Sequence, residues 1–253
     1  MTRVLFLALL AAGALTGLVA FAPLGAALRL AGADKQGLAW TASEGTVLDG
    51  RLQGIALDGA PAGDAHVRLV PAALLSGHLQ YAVGWTGEQG RGAGKVSAGH
   101  KARLALRDFD IDLDLLHLEH AARWVRQSGG RVQVQGEVIR FNGSECLEAK
   151  GTARSDVLER NREILGAGWS DMSGELRCER GDLVIPLQAT NASGTHFLVQ
   201  LSLAPGRTGR FDARVSGIIP RELEFALPIA GFAPDGRDYV YTHTPSGQSG
   251  PTP

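Results

Sequence analysis

Cysteine and aromatic residues are scarce in this 253-residue chain, which has two Cys and only 6% Phe, Trp and Tyr. Two cysteines are too few for a disulfide scaffold, and they lack the spacing of zinc ligands. An excess of one charge is also missing. Lys and Arg number 25 against 26 Asp and Glu, for a net charge of −1. Without a basic block there is nothing to neutralise a phosphate backbone, so no nucleic-acid partner is expected. The 44% hydrophobic content excludes wholesale disorder. Thirty-four Gly and eleven Pro point to many turns and short strands, and the length is enough for a core.

The one long apolar run is at the start. Residues 4–28 hold no charge and are flanked by Arg3 and Arg29. As a helix rising about 1.5 Å per residue, such a run crosses a hydrocarbon layer of roughly 30 Å. Residues 1–30 are therefore expected to form a short cytoplasmic stub and a transmembrane signal anchor, with the rest of the chain exported. The competing reading is a cleaved signal, since Ala20-Phe21-Ala22 has the A-x-A pattern. Pro23 directly after it hinders cleavage. Both readings export the chain beyond Arg29. A buried core helix is disfavoured because the run is apolar on every face.

Beyond residue 30 the pattern is alternation. Residues 66–70, 101–107, 109–115, 131–135, 197–203 and 210–215 alternate polar with apolar, as strands do when one face is buried and the other wet. Turn signals separate them at 84–94, 128–130, 142–144, 191–194 and 205–207. Three stretches read as helix: 116–127, 156–165 with Ser155 as N-cap, and 221–227 opened by Pro220. The expected fold is mainly β: an N-terminal transmembrane helix, then a curved antiparallel sheet over residues 31–240 with two or three short helices. A boundary near Gly129-Gly130 would divide it into two meanders of one continuous sheet. Residues 241–253 read as a disordered tail.

Motifs that mimic catalytic chemistry fail on their details. Gly90-Arg91-Gly92-Ala93-Gly94-Lys95 lacks the leading Gly of a phosphate loop, because Gln89 is there. Val96 stands where a magnesium-binding hydroxyl belongs. Asp108, Asp110, Asp112 and Asp114 alternate with apolar residues and read as the wet face of a strand; calcium would need a bend glycine and a closing Glu. His117 and His120 share a helix face but have no further zinc ligand in motif spacing. The sequons at Asn142 and Asn191 coincide with turn signals. No catalytic constellation, metal site or cofactor is expected. Cys146 and Cys178, 32 positions apart in the exported region, are candidates for a disulfide worth about 3–4 kcal/mol. The other reading is two buried thiols, equally structural.

Four passages carry a family resemblance. Trp40 precedes Gly45-Thr46-Val47-Leu48-Asp49-Gly50-Arg51-Leu52-Gln53-Gly54, and Val67-Arg68-Leu69-Val70-Pro71-Ala72-Ala73-Leu74-Leu75-Ser76-Gly77-His78-Leu79 comes next. Leu176-Arg177-Cys178-Glu179-Arg180-Gly181 then leads to Leu183-Val184-Ile185-Pro186-Leu187, with Gly231-Phe232 near the end. In this order they resemble type II secretion system protein N, the GspN-like family, over nearly the whole chain. The first two are also similar to elements of the wider AsmA-like group. Leu48 stands where the first motif would carry an aromatic residue.

The resemblance implies a non-catalytic, single-pass inner-membrane accessory protein, moored through residues 4–28, with a periplasmic β-domain. Its partners would be other secretion subunits, the secretin or inner-membrane platform proteins. An open sheet edge offers such partners strand addition. The rival expectation is a carrier of lipid acyl chains, which needs a continuous dry groove instead of a filled core.

Overall fold

Alternating sequence becomes strand almost wherever it occurs. The computed structural model describes residues 21–75, 77–99, 103–117, 129–165, 168–203 and 209–243. The protein divides into two units, Met1–Ser97 and Ala98–Pro253.

Unit 1 is an antiparallel meander. Its strands are β1 (Leu38–Ala39), β2 (Ala42–Gly45), β3 (Asp49–Leu57), β4 (Ala60–Leu69), β5 (Leu79–Gly87) and β6 (Gly90–Gly99). β1 and β2 both lie on one side of β3, and β4 and β5 follow on the other. Helix α1 (Leu24–Leu30) covers β2 and β3, burying Leu24 with Leu52 and Ile55. A second short helix, α2 (Pro71–Leu74), sits in the β4–β5 connection.

α1 changes the reading of the apolar N-terminus. Residues 4–20 lie outside the described residues. Pro23 is extended and bridges Thr46, so no helix runs through it into α1. From Leu24 onward, Leu24 and Leu28 pack on strands, while Leu30 is exposed. Among the described residues, no helix is long and apolar enough to cross a membrane. The turn signal over 84–94 also resolves differently. Only Glu88-Gln89 turns; the glycines on either side belong to β5 and β6. Gly87 is there for close approach, since a Cβ on it would stand 3.3 Å from the Gly63 Cα of β4.

Unit 2 has strands β7 (Arg103–Asp114), β8 (Arg131–Asn142), β9 (Glu145–Ser155), β10 (Met172–Glu175), β11 (Arg177–Glu179), β12 (Asp182–Thr190), β13 (Thr195–Leu203), β14 (Arg210–Gly217), β15 (Ala233–Asp235) and β16 (Asp238–His243). Their order is β7-β8-β9-β10-β12-β13-β14-β16-β15, with β11 also paired to β12. The pairings are antiparallel. The two alternating runs at 101–107 and 109–115 form the single strand β7, apart from 101–102, which lie outside the described residues. Asp108, at φ 47°, resets the alternation so that Leu106 and Phe109 both reach the core. The division falls at Ser97/Ala98 and not at Gly129-Gly130. Those glycines lie inside unit 2 just before β8, where Leu115 N donates to Gly130 O at 3.0 Å.

Three helices pack on unit 2: α3 (Val157–Arg160), α4 (Arg162–Leu165) and α5 (Arg221–Ile229). The stretch 156–165 is two helices and not one. Asn161 Nδ2 donates to Val157 O at 2.7 Å, competing for the carbonyl that the next helical turn would use. Of the helix expected over 116–127, residues 118–127 lie outside the described residues; Leu115–His117 form a 3₁₀ turn.

Candidate partner-binding surfaces

The residues that resemble catalytic motifs are dispersed or structural. Residues 90–95 are strand β6. Asp108 and Asp110 are exposed as a wet face requires, but Asp112 is buried and lies 3.7 Å from Arg131. His117 is 3.6 Å from Asp114, and its expected companion His120 lies outside the described residues. Among the described residues, no three His, Cys, Asp or Glu side chains stand together as metal ligands. Asn191 is buried, and its Oδ1 accepts from Ser193 N (3.0 Å) and Thr195 N (2.8 Å), so this sequon is a turn device. Asn142 opens the β8–β9 turn, where Gly143 takes φ 59°.

The Gly-Thr-Val-Leu-Asp-Gly-Arg-Leu passage is equally architectural. Thr46 N donates to Asp49 O (2.8 Å) and closes the β2–β3 turn. Asp49 accepts from His66 Nε2 at 2.8 Å and Arg68 Nε at 3.2 Å across the β3–β4 pair. The His66 bond, helped by Arg68, holds the Asp49 carboxyl below the usual carboxylate range. Arg51 reaches Asp64 at 3.2 Å. These are exposed cross-strand pairs of small individual worth.

Cys146 of β9 and Cys178 of β11 are joined by a disulfide with Cα atoms 5.5 Å apart. β11 is only three residues long. The link, together with Cys146 N donating to Gly181 O (2.6 Å), fastens the β11–β12 turn to β9.

The sheet face that a carrier would leave open is filled in unit 2. Phe109, Phe197 and Val215 of the strands meet Leu158, Leu223, Leu227 and Phe232 beneath the helices. Trp169 and Phe197 meet edge to face at 6.3 Å, and Phe197 and Phe232 at 6.2 Å. Some strands offer little for strand addition: in unit 1, β1 has two residues and β2 four, and in unit 2, β15 has three with Pro234, which has no N–H, in the middle.

An apolar surface that alternation did not reveal is on α5. Leu223 and Leu227 face the core, while Phe225 and Ile229, one turn apart, are 77% and 88% exposed. Ile218, just before the helix, is exposed too. The available signal was an excess of apolar residues, with four large ones in nine.

The class these features define is a mainly β protein whose described side chains build cores and surfaces, not a reaction centre. The family model for type II secretion system (T2SS), protein N matches residues 36–242. The chain belongs to this family, which gives it an accessory role in type II secretion. No curated protein and no solved structure matches it.

Proposed function

We propose that the chain is a non-catalytic inner-membrane component of the type II secretion machinery that works by binding partner subunits in the periplasm. Residues 4–20, uncharged and followed within three residues by Pro23, supply the anchor. As a helix at about 1.5 Å per residue these seventeen residues would span roughly 26 Å, at the short end of what crosses a bilayer. The observation that carries the binding role is the contrast on α5: its inner face completes a filled core, and its outer face offers Phe225 and Ile229 to solvent. Apolar anchors of this kind dominate interface energies. Tethering raises the local concentration, so a modest surface suffices. The partner would be the secretin or an inner-membrane platform protein.

The test is co-purification of the full chain from detergent extracts at native expression. Secretion subunits are expected with the wild type. Phe225→Asp combined with Ile229→Asp should cut their recovery at least tenfold with an unchanged Tm. Wild-type extracts yielding no secretion subunit would overturn the reading. The AsmA-like alternative, a carrier of acyl chains, is opposed by the occupied strand face. A stoichiometric lipid adduct in native mass spectrometry would restore it.

A further inference from the structure

Most of the exposed large apolar side chains of unit 1 gather at one end of its sheet. The entry point of the N-terminal segment is tied there, because Val47 N donates to Ala22 O at 3.1 Å. The β2–β3 turn is tied in turn to the end of β4, with Leu69 N donating to Leu48 O at 2.8 Å. Val70 N donates to Gln80 O at 2.8 Å and closes the β4–β5 connection beside them. Five large apolar residues are exposed at this end: Phe21, Leu48, Leu74, Leu75 and Leu79, with Leu75 94% exposed. Residues 69–87 contain no Asp, Glu, Lys or Arg. Water gives such a cluster no stabilisation, and monomeric surfaces rarely carry one without a use.

The opposite end of the same sheet has the reverse chemistry. Its turns are Asp58-Gly59 and Glu88-Gln89; Leu57 is exposed near them, and Leu30 at the far end of α1 is exposed as well. The nine residues of β5 separate the two ends by about 30 Å.

We infer that the leucine end of unit 1 dips into the periplasmic leaflet of the membrane that residues 4–20 cross, making a second, reversible lipid contact. The inference rests on the anchor proposed above. Lipid is the occupant because the apolar segment joins the fold at this corner without a linker. Pro23 is already bridged to Thr46. A chain leaving the bilayer near residue 20 has only Phe21 and Ala22, at about 3.5 Å each, with which to hold the unit away. Leu74, Leu75 and Leu79 then meet the headgroup–acyl boundary, where apolar side chains are favoured. Two attachments fix the tilt of unit 1 on the membrane, which one flexible anchor does not.

The experiment uses the full chain in vesicles of phosphatidylethanolamine and phosphatidylglycerol, with the native disulfide intact. Nitroxide labels are placed singly through Leu10→Cys, Leu75→Cys or Glu88→Cys. Collisions with oxygen, concentrated in lipid, are compared with those of a nickel chelate confined to water. Labels at 10 and 75 should both favour oxygen by several-fold over the label at 88. Because Leu75 is almost wholly exposed, its substitution leaves the fold untouched. A label at 75 in water while that at 10 is in lipid overturns this inference and leaves the anchor standing. A label at 75 shielded from both reagents means a protein contact and also overturns it. A label at 10 in water overturns the anchor and the lipid contact together.

Discussion

Gly50 has no side chain because α1 lies against it: a Cβ there would stand 2.8 Å from Leu24 Cδ2 and 2.8 Å from Thr46 O. Gly50→Ala should therefore cost about 1–3 kcal/mol in denaturant titration, by pushing α1 off β3. The near-ultraviolet signal of Trp40, which packs in the same cluster, should change with it. Asp156 illustrates charge at the same scale. Burial pushes its carboxyl up, but the Arg131 N–H at 2.6 Å and Arg160 Nε at 2.6 Å outweigh that, and it ends below the usual carboxylate range. A depressed carboxylate stabilises the fold fully above its unfolded pKa, and that stability is lost as pH falls through the folded value. Asp156→Asn should be less stable than the wild type by about 1 kcal/mol at pH 7, since the site is partly exposed. The gap should stay constant down to about pH 5 and close below pH 4. A gap that widens in acid would contradict this account. Neither role was legible in advance. Gly50 reads only as one residue of the passage from Gly45 to Gly54, and Asp156 as the first residue of a helix, because their partners lie far off in sequence.

Elements were legible where one period ran unbroken. Residues 131–135, 197–203 and 210–215 read as strands and are β8, β13 and β14. The reading weakened where a local competitor intervened, as at Asn161, which splits the helix, and Asp108, which shifts the phase of β7. Helix α5 shows a further limit. Pro220 marked its start, but both its faces are apolar, so the sequence did not say which was inside. The structure separates them, and substitution should too. Leu223→Ala, at a position 2% exposed, should lower stability by about 2–5 kcal/mol. Phe225→Ala should change it by no more than about 0.5 kcal/mol. Equal losses from the two would mean that the outer face is also packed.

At the scale of the whole molecule, the sheet order brings Cys146 and Cys178 together although 32 positions separate them. That pairing is the part of the architecture most exposed to the compartment in which the chain works. Closing a loop of this length restricts the unfolded chain, which is worth about 3–4 kcal/mol in the entropy account. The double variant Cys146→Ser, Cys178→Ser should lose stability of that order in unit 2, read by denaturation with Trp169 as the reporter. The same bond tests export. Reducing cytosol keeps thiols free, whereas a periplasmic chain stays oxidised. Alkylating whole cells before any reductant is added should therefore leave both cysteines of the mature protein unmodified, and they should react only after reduction. Full alkylation at the first step would place the chain in the cytosol, on the wrong side of the membrane from the secretin that the proposed role requires it to approach.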